Sequence, residues 1–339
     1  MSGARIAALD GLRGMAALTV LLSHLSNLTQ LVQPLGNGAG QLGVMLFFAL
    51  SGFLMAHNHA GEPLDWQHAG RYATRRAARI LPLYVLVIVV AFVFGLVTEN
   101  QLYGYNVTTG NLLSHLMFIR GDGIIWTVPV EIQFYVLFLI IWALSHMPIA
   151  IYTLTIAAVI LSLSVSADAL PTLVRCLPYF LFGVTIRLIN PPSEKFSGPL
   201  FMGALALYWL SLPQMRPLFG LEPPALLDTW RDPMCMIVVC TLVWCAQSSS
   251  AAERLFGNSV TRWLGDISFS LYLLHSPLIG FLAWAGTPSW AVWLLGISGA
   301  VWIAAMSHVF IERPGGRLIR TVLLPQKKDH PEQRRQGRD

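Results

Sequence analysis

Charge is what this chain has least of. Asp, Glu, Lys and Arg together make up 12% of its 339 residues, where an average soluble protein carries about a quarter. That scarcity excludes a soluble domain and a disordered, highly charged chain alike. Cysteine is scarce too. The four, Cys176, Cys235, Cys240 and Cys245, all lie in apolar runs at a spacing that fits neither a disulfide framework nor a metal pattern. They read as small apolar core residues. No repeat recurs at a fixed period, and no pair of inverted halves is visible. No cleavable leader is expected, because the apolar run after Arg5, Asp10 and Arg13 is longer than an h-region and lacks a clear A-x-A site. What the chain has in excess is apolar, at 55% AVILMFWYC. At ~20 apolar residues per span, ten spans need ~200 residues. The composition predicts an all-α polytopic membrane protein of about ten transmembrane helices.

Hydropathy places those spans at 12–33, 41–57, 80–98, 126–146, 148–166, 172–190, 198–213, 232–248, 266–285 and 289–310. Residues 111–120 are too short and polar to cross, and read as a re-entrant or interfacial piece. An even number of spans puts both termini on one side. With the N-terminus inside, the outer connections hold only Arg120, Arg175, Arg216 and Arg231, and the other 18 of 22 basic residues lie at the inner ends. This is the positive-inside pattern, so both termini are expected to be cytoplasmic. The membrane domain is expected to occupy 1–312, and 313–339 to be a disordered basic tail. That tail has 8 basic and 3 acidic residues and so accounts for the whole net charge of +5. It points to orientation and anionic lipid rather than to nucleic acid.

Ionisable groups inside a span are costly and need a reason. In RIAALDGLRGMAALTVLLSHLSNL, Asp10 and Arg13 share a helix face at the inner boundary, as a topology anchor or as part of a site. His24 lies eleven residues past Arg13, ~16 Å into a core ~30 Å thick. It is either a packed histidine bonded to a neighbouring helix or a working one. Ser51 and Gly52 fall level with it on the second span, as a small-residue packing contact or as part of a site. Arg71, Arg75 and Arg79 form an i,i+4 stripe at the inner face with Arg76 beside it. Four guanidinium groups suit a multiply phosphorylated ligand, and they equally suit a lipid anchor. Glu131, in WTVPVEIQFY, lies roughly 7 Å inside the outer boundary. Its expected partner is His24, or else Arg120 or Arg175 near the outer face. Tyr272 and His275 share a face at i,i+3 on the ninth span. Histidines His57, His59, His68 and His308 read as interfacial. No two histidines sit on a span at i,i+4 with a third ligand nearby, so no metal is expected.

Taken in order, these segments resemble the acyltransferase 3 family of integral membrane acyltransferases. The resemblance rests on LDGLRGMAALTVLLSH at 9–24, GVMLFFALSGF at 43–53, Arg76-x-x-Arg79 with ARILPLY at 78–84, WTVPVEIQFY at 126–135 and ISFSLYLLH at 267–275. It departs at Pro129, where an aliphatic or small residue is more usual; proline in a first turn is tolerated. The resemblance implies a ten-span fold in a bacterial inner membrane. It implies transfer of an acyl group, commonly acetyl, from cytoplasmic acyl-CoA to a hydroxyl, often of a glycan or glycolipid. The stand-alone form is expected, without a fused extracytoplasmic esterase-like domain. By the same resemblance His24 is the catalytic histidine, and Arg13, Arg76 and Arg79 belong to family motifs. Glu131 matches the acidic position before Phe-Tyr.

Chemically, a neutral mid-membrane imidazole suits the work of a general base. Glu131 is expected to orient it, as in a triad. An acyl-histidine intermediate is the alternative within the enzyme reading. Arg13, Arg71, Arg75, Arg76 and Arg79 would bind the acetyl-CoA phosphates, and Ser51, Tyr272 or His275 would stabilise the oxyanion or hold substrate. The rival class is a proton-coupled transporter with His24, Glu131 and His275 as a relay. The absent repeat pair and the absent matched broken helices speak against it.

Overall fold

The computed structural model describes residues 6–324, and no strand occurs among the described residues. Fourteen α-helices follow one another. They are α1 (Ala7–Thr29), α2 (Ala39–His59), α3 (Trp66–Thr98), α4 (Leu112–Leu116), α5 (Thr127–Ala143), α6 (Pro148–Ser164) and α7 (Thr172–Leu188), then α8 (Glu194–Leu210), α9 (Pro233–Ala246), α10 (Ser250–Phe256), α11 (Ser259–Asp266), α12 (Ser268–Trp284), α13 (Ser289–Ser307) and α14 (Arg313–Leu323). A π-helical turn, His308–Glu312, joins the last two.

Each of the ten expected ranges coincides with one of these helices. Length divides them. Four stretches, Gln33–His59, Trp66–Thr98, Gly123–Ala143 and Ser289–Leu323, are long and apolar enough to cross a membrane. Three bent pairs, α8 with Pro213–Phe219, α9 with α10 and α11 with α12, raise the number to seven. A 17-residue helix such as α6 rises only ~26 Å, short of a ~30 Å core. Residues 111–120 hold only the five-residue α4, in keeping with their polarity. The segment assigned to a disordered tail begins as a helix: α14 packs against α3, with Gly315 over Pro82 and Gly316 over the Ala78 carbonyl. Residues 325–339 lie outside the described residues.

The centre is α2, apolar all round, which packs against α1 on one side and α7 on the other. Small residues set that approach. A Cβ on Gly52 would lie 2.0 Å from the Phe180 carbonyl oxygen, and one on Gly183 would lie 2.0 Å from that of Ala49. In lipid, where burial of apolar surface does not drive helices together, such close backbone approach supplies the packing. A second, smaller core joins α1, α12 and α13 around Leu21, Leu25, Leu271 and Ile279. Thus α1, α2 and α12 surround the buried histidine region.

The long connection 99–126 lies over α12 and is fastened to it by backbone-directed bonds. Pro277 has no N–H for the Leu273 carbonyl one turn back, and the Tyr105 hydroxyl donates to that carbonyl instead. The Tyr272 hydroxyl donates to the Ile124 carbonyl at 2.6 Å. Gly123, at φ +64°, fits its backbone against Gly104, whose carbonyl accepts from Ile124 N–H at 2.8 Å. Gln133 on α5 donates to the carbonyls of Phe118 and Ile119.

Candidate active site

Two cavities meet at Val44 and Tyr272, which line both. The first is narrow, about 60 Å³, and charged: Arg13, Ser51, Arg76, Arg79 and Glu131 face it. The second is wide, about 550 Å³, and holds His24 among amides, a carboxylate and indoles: Asn27, Gln41, Asp122, Trp126 and Trp230.

In the narrow cavity the arginines come from two helices. Arg13 stands on α1, while Arg76 and Arg79 stand one turn apart on α3. Arg71 and Arg75 do not join them and are exposed. Helix geometry gives the reason. Each i,i+4 step overshoots a full turn by ~40°, so a stripe drifts ~80° between Arg71 and Arg79, and only its last member turns inward beside Arg76. The expected cluster of four on α3 is therefore a pair. The Arg76 guanidinium lies 5.4 Å from the Tyr135 ring centre and 5.7 Å from that of Tyr72, in cation–π range. Its Nε is buried without a hydrogen-bond partner, a donor that an anionic ligand would satisfy.

Glu131 sits in the same cavity. Its Oε1 accepts from the Ser51 hydroxyl at 3.0 Å and from the Tyr135 hydroxyl at 2.5 Å. The expected pairing of Glu131 with His24 is not formed. Neither alternative partner serves, because Arg120 bonds Asp122 and Arg175 bonds the Ala167 carbonyl. Depth arithmetic treats the two residues as near neighbours, yet Tyr272 stands between the cavities that hold them. The sequence does carry the signal for Tyr135, one helical turn after Glu131. In the Ser51-Gly52 pair, Ser51 lines the cavity and Gly52 packs against α7. Pro129 falls in the first turn of α5, where a missing N–H costs nothing.

In the wide cavity His24 meets His275 of α12 edge to edge, with ring centres 5.0 Å apart and planes inclined by only 17°. His24 Nδ1 and His275 Nε2 are 2.7 Å apart. His275 is fully buried and lines neither cavity. Its position does not suit a direct contact with substrate. Tyr272 faces both cavities, and its hydroxyl is engaged by Ile124. The indoles Trp126 and Trp230 meet edge to face, 5.7 Å between centres. Sequence reading missed Asn27, Gln41, Asp122 and both indoles, since nothing in their local pattern announces a common wall. No three His, Cys, Asp or Glu side chains among the described residues converge as a metal would require.

Such an arrangement sets an imidazole in a polar, aromatic cavity that adjoins a cationic one at Val44 and Tyr272. Comparison with known proteins agrees with acyl transfer. The chain is 26% identical to Nodulation protein 10 of Rhizobium leguminosarum bv. viciae, over 94% of this chain and 95% of that protein. It is 24% identical to Acyltransferase MdmB of Streptomyces mycarofaciens, over 93% and 92% of the two chains. It is 25% identical to the "Putative peptidoglycan O-acetyltransferase YrhL" of Bacillus subtilis (strain 168), over 91% of this chain and 54% of that longer protein. No solved structure matches it. The profile of the acyltransferase 3 family, described as an acyltransferase domain, matches residues 6–309, and the chain is a membrane acyltransferase of that family.

Proposed function

We propose that the protein transfers an acetyl group from cytoplasmic acetyl-CoA to a hydroxyl of a glycan or glycolipid acceptor at the far side of a bacterial inner membrane. The observation that carries this reading is the placement of His24. It lines a wide cavity of indoles, amides and a carboxylate, and that cavity adjoins, at Val44 and Tyr272, a cavity lined by three arginines. Indole faces beside hydrogen-bonding side chains are the chemistry that holds sugars, and paired guanidinium forks are the chemistry that holds phosphates. In this reading the ten main helices all cross or enter the bilayer, with both termini cytoplasmic.

The donor's phosphates lie against Arg13, Arg76 and Arg79, with Nε of Arg76 taking a partner. Arg71 and Arg75, exposed nearer the start of α3, attract the anion towards the mouth. Glu131 shapes this wall by holding Ser51 and Tyr135. A cavity of about 60 Å³ does not admit a pantetheine arm, so the helices around Phe47 and Tyr272 part when the donor enters. The acceptor hydroxyl lies in the wide cavity against His24.

His24 takes the hydroxyl proton as the oxygen attacks the thioester carbonyl carbon. The new C–O bond forms, the C–S bond breaks, and His24 returns the proton to the departing thiolate. The products are the acetyl ester and free CoA thiol, with no other reactant. Calorimetry of acetyl-CoA binding to the detergent-purified protein tests the reading. Wild type binds, and Arg76→Ala weakens binding by about ten- to a hundredfold, the worth of a charge-assisted bond. His24→Ala leaves binding unchanged. Equal binding by the arginine variant would return the cluster to lipid anchoring.

A further inference from the structure

We propose that His275 is a positioning residue that sets the tautomer of His24, so that Nε2 is the nitrogen left to take the acceptor proton. This rests on the reading of His24 as the base.

The Leu271 carbonyl oxygen can only accept a hydrogen bond, and His275 Nδ1 lies 2.9 Å from it. That nitrogen therefore carries the hydrogen. A neutral imidazole has a single N–H, so His275 Nε2 is a bare lone pair. His24 Nδ1 lies 2.7 Å from that lone pair and so must donate. His24 is left with its hydrogen on Nδ1 and a bare Nε2. No described residue is a hydrogen-bond partner of that Nε2, and His24 is the histidine that lines the wide cavity. The three groups form a chain of one polarity, and its direction is set by a backbone carbonyl.

Three features keep the chain in place. His275 is fully buried, which denies water to its ring. The two rings are nearly coplanar, inclined by 17°, so the hydrogen of one points along the lone pair of the other. Leu271 is one turn before His275 on α12, so its carbonyl and the ring it orients belong to one rigid element. The tautomer matters because a histidine side chain in water favours the hydrogen on Nε2. A His24 in that form presents a donor where the acceptor hydroxyl needs an acceptor. Once His24 has taken the proton, its Nδ1–H still donates to His275, and the bond becomes charge-assisted. A neutral imidazole thus does what a carboxylate does in a serine–histidine–aspartate triad.

The test reads the tautomer itself. Protein labelled with ¹⁵N-histidine is purified in detergent at mildly alkaline pH. Long-range ¹H–¹⁵N correlation then distinguishes the two ring nitrogens of each histidine, with His24 assigned by its loss in His24→Gln. Wild type is expected to show His24 with its hydrogen on Nδ1. His275→Gln keeps that form, since the glutamine Oε1 can reach the place of Nε2 and accept. His275→Leu moves His24 to the Nε2–H form while acetyl-CoA, added as the probe, still binds. A hydrogen on Nε2 in wild type overturns the proposal, and so does an unchanged His24 in a His275→Leu protein that binds acetyl-CoA. If His275→Leu does not fold, the wild-type and glutamine spectra decide. The outcome is separate from the proposed function. A correct tautomer without acetyl-CoA binding refutes the donor and leaves the pair intact. Binding with the opposite tautomer refutes the pair alone.

Discussion

At the scale of the residue, the site separates what holds from what reacts. His24 faces the wide cavity and has one engaged nitrogen. His24→Ala is expected to lower acetyl transfer by ~10²- to 10⁴-fold, the usual worth of a general base, while acetyl-CoA affinity stays level; isotope transfer measured beside calorimetry checks both. Undiminished transfer would remove His24 from the chemistry. Glu131 accepts from the hydroxyls of Ser51 and Tyr135. Tyr135→Phe removes one of two bonds to a part-buried carboxylate. The expected loss is about 1–3 kcal/mol, read as a lower unfolding temperature in detergent together with weaker acetyl-CoA binding. Unchanged values for both would make the bond ornamental.

Helices are held at their heights by small residues and by one loop. At Gly52 and Gly183 an added methyl meets a carbonyl of the facing helix. Gly52→Ala is expected to destabilise by about 1–3 kcal/mol through overpacking. Gly61→Ala, with nothing within 4 Å, is the neutral control. Thermal melts of the two variants decide it.

In the connection 99–126, His115 is buried, and burial holds its pKa below the ordinary histidine value. Its Nδ1 has no partner. The unfolded loop therefore binds a proton more readily than the folded one. The stabilising contribution is whole above the unfolded value of about 6.5 and is lost as pH falls below it through the lower folded value. Amide protection in residues 105–122, taken relative to the intrinsic exchange rate at each pH, is expected to fall on acidification below that value, and an unchanged protection would count against it.

For the molecule as a whole, the basic residues and an even number of crossings argue for one orientation. Arg71 and Arg120 are both exposed, and the orientation proposed from the basic residues puts them on opposite sides of the membrane. In sealed cells, a membrane-impermeant maleimide is expected to label Arg120→Cys and to label Arg71→Cys only after permeabilisation. The four native cysteines, three of them buried, give a low background. The reverse labelling would invert the assignment of donor and acceptor sides.

The membrane setting, the positions of the ten main helices and the family were legible in the sequence alone, which also singled out His24, Arg13, Arg76 and Arg79 as candidates. Hydropathy and motif spacing are local properties, and they survive whatever the chain packs against. Only the tertiary structure decided partnership. His24 pairs with a residue 251 positions away, Glu131 turns to Ser51 and Tyr135 instead, and two of the four α3 arginines turn outward. Those outcomes depend on the height and rotation of each helix. Close glycine contacts between α2 and α7, and a loop fastened across α12, set both, and neither quantity is written in the local pattern of any one segment.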